Sequence, residues 1–274
     1  MAAALQRIYS APVSRPGRML EGRAMEAFDQ GRTLNFGHRG ASREAPANTL
    51  AAFERAAELG ADGIELDVHL SRDGQLVVIH DFSLKGTTDG RGLVRERTLA
   101  ELKELDAGGW FSPAFAGERI PTLQEVVDAV GRRLLLNIEL KCKAGGEDGL
   151  AAATVGLIEH NGLWGRVIVS SFNRQAIRRV REMDPRVPIG ALYEIDPFVT
   201  LRPWPRELAR PEALHPYHRL LSRAYVRWAK GHGYRIHTWT VDDPRRMRQL
   251  VEWGVEIIIT NRPDVLRQVL AEAR

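Results

Sequence analysis

The chain has 274 residues, 44% of them hydrophobic and 27% charged, with a formal net charge of +4. That composition excludes a disordered chain, a collagen and a coiled coil, and no run of about 18 apolar residues is present to cross a bilayer. A single cysteine, Cys142, excludes a disulfide framework and a cysteine-based zinc site. Only five of the 39 basic residues are lysine: Lys85, Lys103, Lys141, Lys143 and Lys230. The arginines are scattered, and short runs such as Arg178-Arg179 read as solvated helix faces rather than as a nucleic-acid patch. A mild positive field suits an anionic small-molecule substrate.

Residues 1–32 carry no secretory-type apolar segment and read as an extension or outer helix, with the cytoplasm as the expected compartment. From Leu34 onward, β-rich runs alternate with helical patterns. The first run, 34–38, ends at His38. Thr49 then caps a helix to Leu59, closed by Gly60. The run 63–68 alternates apolar residues with Glu65 and Asp67. Arg72-Asp73-Gly74 turns the chain into a short local strand that ends before His80. The segment from Asp81 to Ile120 is too long for an ordinary connection and reads as an inserted unit, about 82–120, with a helix near 99–105. Thr122, with Glu125 three residues on, starts a helix to about Val130.

The rhythm then resumes. Strands are expected from Leu134, Val167, Pro188, Ala213, Tyr234 and Glu256, with helices over 150–160, 175–183, 222–230, 244–253 and 263–273. The proline-rich stretch 197–211 has no clear pattern. Eight major strands, nearly all followed by a helix, predict a parallel sheet closed into a (β/α)₈ TIM barrel over 33–274. No Gly-x-Gly-x-x-Gly turn follows the first strand, which weakens a dinucleotide-binding open sheet.

In such a barrel the chemistry lies at the carboxyl ends of the strands, which here are unusually polar. Residues two apart on a strand share a face, so Glu65 sides with Asp67 and Glu139 with Lys141. Three carboxylates on neighbouring strands repel unless a cation lies among them. Oxygen ligands alone select Mg²⁺, Ca²⁺ or Mn²⁺, making Glu65, Asp67 and Glu139 candidate metal ligands. His38 and His80 each follow an apolar run beside this acidic cluster and are the candidate general acid and base. His69, His160, His218, His232 and His237 lack that context, and His215 is intermediate. Trp239, at the seventh strand end, is a candidate apolar wall for substrate carbon.

These residues resemble the glycerophosphodiester phosphodiesterase family. The matching stretches are His38-Arg39-Gly40, Pro46-Ala47-Asn48-Thr49, Glu65-Leu66-Asp67-Val68, Asp73-Gly74 and His80-Asp81. They continue with Thr87-Thr88-Asp89-Gly90, Pro121-Thr122-Leu123, Glu139-Leu140-Lys141, Trp239-Thr240-Val241-Asp242 and Thr260-Asn261-Arg262-Pro263. Order and spacing match from about Leu34 to Leu270. The resemblance implies a TIM barrel with a small insertion after the second strand and one divalent cation on the residues matching Glu65, Asp67 and Glu139. It implies His38 and His80 as the acid/base pair, with Arg39 and Lys141 near the phosphate. The implied reaction is hydrolysis of glycerophosphodiesters to glycerol 3-phosphate and an alcohol, by way of a cyclic phosphate. Two positions depart from the family pattern: Ala47 stands where a glutamate is usual, and Gly86, after Lys85, where an arginine is usual. Both bear on head-group preference and on metal affinity. A lysophospholipase D-like enzyme, with Trp110, Phe111, Phe115 and Trp204 as membrane-facing aromatics, and a non-catalytic barrel that binds a phosphorylated ligand are the alternatives.

Overall fold

The computed structural model describes residues 25–142, 149–194 and 210–273. Nine strands form one sheet: β1 (Leu34–His38), β2 (Gly63–Leu70), β3 (Leu76–Val78), β4 (Leu135–Leu140), β5 (Val167–Ser171), β6 (Ile189–Tyr193), β7 (Ala213–Pro216), β8 (Arg235–Thr238) and β9 (Ile257–Thr260). All but β3 run parallel, and β1 pairs with both β9 and β2, so eight strands close into a barrel. β3 folds back antiparallel on β2, pairing Val68 with Val78, after the turn at Asp73-Gly74. The helices, in chain order, are α1 (Leu50–Glu58), α2 (Leu99–Lys103), α3 (Leu123–Val130), α4 (Leu150–His160), α5 (Arg174–Met183), α6 (Arg223–Gly231), α7 (Pro244–Glu252) and α8 (Pro263–Glu272). Among the described residues, no helix is long and apolar enough to cross a membrane.

The expected strands begin within one residue of the observed ones. Among the described residues, six of the eight helix starts are fixed by side chains that accept otherwise unpaired amide hydrogens. Thr49 accepts from Ala52, Asn173 from Gln175, Ser222 from Tyr225 and Asp243 from Arg245. At Thr122 the reciprocal pair with Glu125 is complete. The segment after β3 holds α2, with its own capping pair Thr98 and Glu101, and packs Leu84, Val94, Leu102 and Ile120 under itself against Val77 and Ile79. The stretch expected to be irregular, 197–211, lies almost wholly outside the described residues.

Period-two alternation sorts the barrel side chains. Ile64, Leu66 and Val68 on β2, and Leu136, Ile138 and Leu140 on β4, join Phe53, Val126 and Ile158 in the layer between barrel and helices. The opposite faces line the interior. Its amino-terminal floor is apolar, built from Leu34, Phe36, Leu135, Ile168, Ala213 and Ile257, and Met25 and Phe28 from the segment before β1 pack onto it. Climbing each strand by two residues leads from that floor to His38, to Glu65 and Asp67, to Asn137 and Glu139, and to Ser170. The fold thus directs its apolar residues outward and downward, and leaves the carboxyl ends for polar groups.

Candidate active site

Parallel register places the acidic residues side by side. His38 is opposite Glu65 across β1 and β2, and Asp67 is opposite Glu139 across β2 and β4. Each of Glu65, Asp67 and Glu139 offers an oxygen within 4.8 Å of the others, and all three residues are buried. Lys141 leans over the group, with Nζ 2.8 Å from Glu139 Oε1 and 3.4 Å from Asp67 Oδ1. Arg39 reaches it from the other side, with Nε 3.2 Å from Asp67 Oδ2. Asn48 Nδ2 donates to Asp67 Oδ2 at 2.9 Å.

Two residues hold this arrangement in unusual backbone conformations. Arg39 has φ +55° and Asn48 has φ +62°, in the left-handed region that side chains disfavour. For asparagine the cost is small; for arginine it is about 1 kcal/mol or more. The turn at Arg39 lets its backbone N–H donate to both the main-chain oxygen of Glu65 at 2.8 Å and Glu65 Oε2 at 3.2 Å. Pro46-Ala47-Asn48-Thr49, a motif legible in the sequence, thus supplies both a helix cap and a clamp on Asp67.

Electrostatics divide the three carboxyls. Burial, with the charges of Asp67 and Glu139, raises Glu65 well above the usual carboxylate range. Burial followed by Asp67 pushes Glu139 up to about 7 despite Lys141. Burial also pushes Asp67 upward, but Arg39 and Lys141 overcome it and hold that group below its ordinary value. Lys141 is raised because Asp67 and Glu139 outweigh its own desolvation. The group therefore strains against its own negative charge. Asp67 Oδ1 is buried and accepts no hydrogen bond among the described residues. An all-oxygen donor set, an excess of buried carboxylate and a buried carboxylate oxygen that accepts no hydrogen bond fit a hard divalent cation.

Both candidate histidines line one cleft with Arg39, Glu65, Glu139 and Lys141. The cleft has a volume of about 60 Å³ and is also bounded by Asn137, Ser170, Phe172, Leu192, Trp239 and Ile259. His38 Nε2 stands 3.9 Å from Glu65 Oε2, and its Nδ1 is 2.7 Å from Asn261 Oδ1. Asn261 Nδ2 donates to Asp242 Oδ2 at 2.7 Å, which turns the amide oxygen toward His38. His38 must then carry its hydrogen on Nδ1, leaving Nε2 for the cleft. His80 Nδ1 lies 2.6 Å from Asp81 Oδ1, a carboxylate that only accepts, so its Nε2 is the other free ring nitrogen. Burial, then Arg39, lowers His38 to about 4; burial lowers His80, with Asp67 opposing.

Of the sequence-predicted site residues, His38, Arg39, Glu65, His80, Glu139, Lys141 and Trp239 line this cleft, and Asp67 lies buried beside it with an oxygen within 4.8 Å of those of Glu65 and Glu139. Trp239 Nε1 donates to the main-chain oxygen of His215 at 2.9 Å, and its ring meets Phe172 edge-on at 5.6 Å on one side of the cleft. Phe172, 47% exposed, carried no sequence signal beyond following Ser170-Ser171. Asn48, Asp81, Asp242 and Asn261 stand in matched motifs, yet only the folded chain reveals whom they bond. His69 Nε2 bonds the main-chain oxygen of His80 at 3.2 Å. His215 and His237 lie buried deeper in the barrel, 4.7 Å apart and away from the carboxylates.

The comparisons with known proteins agree with this geometry. A family model described as the glycerophosphoryl diester phosphodiesterase family matches residues 38–265. A glycerophosphodiester phosphodiesterase of Caldanaerobacter subterraneus is 44% identical over 238 residues, covering 86% of this chain and 96% of that one. Another of Bacillus subtilis is 34% identical, covering 87% and 86%. Among solved structures, an Oleispira antarctica phosphodiesterase in complex with the product sn-glycerol-3-phosphate superposes with a TM-score of 0.80 at 30% identity, covering 89% of this chain and 99% of that one. With the family match spanning most of the barrel and relatives aligned over nearly their full length, the chain belongs to the glycerophosphoryl diester phosphodiesterase family of enzymes.

Proposed function

We propose that the chain hydrolyses glycerophosphodiesters to glycerol 3-phosphate and an alcohol, using one divalent cation and the pair His38 and His80. The observation that carries this reading is a cluster of three buried carboxylates, Glu65, Asp67 and Glu139, two of which line one cleft together with both histidines. Glu65, Asp67 and Glu139 would hold Mg²⁺, Ca²⁺ or Mn²⁺. Such a cation would draw charge from the phosphoryl oxygens and so favour attack on an anionic diester.

The chain's own residues do the rest. Arg39 and Lys141 present fixed positive charge where the phosphoryl group carries its negative charge. Phe172, Leu192 and Trp239 pack the glycerol carbons and keep water from that side. One histidine Nε2 takes the proton of the glycerol 2-hydroxyl as that oxygen attacks phosphorus. The other Nε2 gives a proton to the departing alkoxide, and the product is a five-membered cyclic phosphate. Water then opens the ring with the two histidines in exchanged roles, restoring both protons. Each proton transfer contributes about 10²–10⁴-fold. The Nδ1 bonds to Asn261 and Asp81 keep each ring facing the cleft through both steps. Residues 33–274 would form the catalytic unit, with 82–120 inserted in it and 1–32 as an extension outside the chemistry.

The test is release of glycerol 3-phosphate from glycerophosphocholine. Metal-stripped protein should be inactive and should recover with Mg²⁺, Ca²⁺ or Mn²⁺. His38→Ala and His80→Ala should each lower kcat by about 10²-fold or more with unchanged folding, in keeping with the loss of one proton transfer. Full activity without metal would reject the reading. A second reading, action on lysophospholipids, is supported by Trp110, 45% exposed and stacked edge-on with Phe111, which in turn meets Phe115. Trp204, the fourth aromatic expected there, lies outside the described residues. A barrel that only bound a phosphorylated ligand would need neither oriented histidine.

A further inference from the structure

A second cavity opens beside the cleft and shares His38 and Arg39 with it. Its volume is about 550 Å³, and its other walls are Ser42, Arg43, Ala47, Asp242, Asn261 and Arg262. A phosphodiester is a phosphate with two alcohol arms. With the phosphate at the shared Arg39 border and glycerol in the narrow cleft against Phe172 and Trp239, the wide chamber receives the other arm.

The charge facing that chamber is one-sided. Among the described residues Asp242 is its only carboxylate, and it is already occupied. Its Oδ1 accepts from Thr260 Oγ1 at 3.0 Å and from the Asn261 backbone at 2.9 Å, and its Oδ2 accepts from Asn261 Nδ2. Nearby Glu44 is turned to Arg55 at 2.7 Å. Ala47 adds no charge. Arg39 pairs with Asp67 and stands at the border where the phosphate lies, so it serves the phosphate rather than the arm. Arg43 and Arg262, by contrast, are exposed, and among the described residues neither guanidinium has an ion pair or a side-chain hydrogen bond. Their backbones are nevertheless tied: Arg43 N–H donates to the main-chain oxygen of Asn261 at 3.2 Å, and Arg262 N–H to Thr260 Oγ1 at 3.0 Å. Two uncommitted cations are thus held on one rim. A planar guanidinium fork matches carboxylate and phosphate oxygens. A quaternary ammonium would need free carboxylates or an aromatic cage, and among the described residues this chamber offers neither.

We infer that this chamber binds the alcohol arm of the substrate and that Arg43 and Arg262 select glycerophosphodiesters whose alcohol carries an anionic oxygen group. The inference rests on the phosphodiesterase reading above. It names a substrate class: diesters of alcohols bearing a carboxylate or a further phosphate, ahead of those bearing choline.

The experiment compares kcat/KM of metal-loaded enzyme, at one fixed low ionic strength, for four probes. They are glycerophosphocholine, glycerophosphoglycerol, glycerophosphoserine and glycerophosphoinositol 4-phosphate. The phosphate-bearing probe should exceed the choline probe by about tenfold, mostly through KM, because the arginines bind rather than react. In Arg43→Gln/Arg262→Gln this ratio should collapse toward one, and in Arg43→Glu/Arg262→Glu it should invert. A preference shared by the serine probe shows that any anionic oxygen suffices; one confined to the inositol phosphate assigns the chamber to phosphate. Equal rates for choline and inositol phosphate in the wild type, or an unchanged order in the double variants, overturn the inference while leaving the phosphodiesterase reading intact. Failure to cleave any of the four overturns both.

Discussion

Asp242 fixes His38 without touching it. Its carboxylate binds both the backbone N–H and the side-chain amide of Asn261, and the oxygen this leaves exposed faces His38 Nδ1 at 2.7 Å. Ser42 Oγ donates to the same Asn261 oxygen at 2.7 Å. A free asparagine amide could present either end to the ring; this one can present only its acceptor. Asn261→Leu should therefore release the ring and lower kcat by roughly 10–100-fold, the equivalent of about 1.5–3 kcal/mol. Asp242→Asn should give a smaller loss and preserve KM for the phosphate. Unchanged kcat in Asn261→Leu would remove this relay from the mechanism.

Glu65 is the carboxyl most opposed by its surroundings, raised by burial and by Asp67 and Glu139. A carboxyl whose folded pKa exceeds its unfolded value weakens the fold as pH rises through the acidic range and beyond. Glu65→Gln removes that charge in nearly the same shape. At pH 7.5 the metal-free variant should melt several degrees above metal-free wild type, at roughly 2–4 °C per kcal/mol, while losing phosphodiesterase activity. Differential scanning calorimetry in excess chelator measures this. A lower melting temperature for the variant would show that Glu65 is not held against repulsion.

The same groups set how metal binding responds to pH. Glu139 is pushed up to about 7 and Glu65 higher than normal, so at pH 6 the metal-free site holds protons that a cation must displace. Affinity should rise from pH 6 to pH 8, by up to about tenfold per pH unit for each proton displaced. Calorimetric titrations in two buffers of different ionisation enthalpy count those protons. No proton release and a flat affinity would contradict the arrangement.

Deep in the barrel, burial lowers His215 to about 3 and His237 well below its usual value, and among the described residues neither ring nitrogen of either histidine has a partner. Both rings are stable only when neutral. Their folded pKa lies below the unfolded value near 6.5, so the stability they permit is full above about pH 6.5 and falls progressively as pH drops toward 3. Urea unfolding of His215→Gln and His237→Gln should show a shallower loss of stability between pH 6.5 and 4 than wild type, whatever their absolute stability. Parallel curves would mean that other groups set the acid limit.

Much of this site was legible because barrel geometry turns sequence spacing into spatial facing. Glu65 and Asp67, two apart on β2, had to share a face, and a barrel buried on both sides gives charged groups only its mouth. Eight β-rich runs with capped helices between them identified the barrel itself, since Thr49, Thr122 and Ser222 announce helix starts by local hydrogen bonding alone. Asp73-Gly74 likewise announced the β2–β3 turn.

What the sequence determined by itself is everything that depends on near neighbours: strand alternation, caps, turns, and hence which chemical groups gather at the carboxyl ends. Contacts between distant loops needed the closed barrel. Asn261 meets His38 across 223 residues, and Asn48 reaches Asp67 from the far end of a left-handed turn. Closure of β9 onto β1 brings the first and last loops to one rim, where Arg43 and Arg262 stand together beside a chamber that no local pattern encodes. Side-chain chemistry is written residue by residue, but the pairing of charges is decided by which loops the barrel makes adjacent.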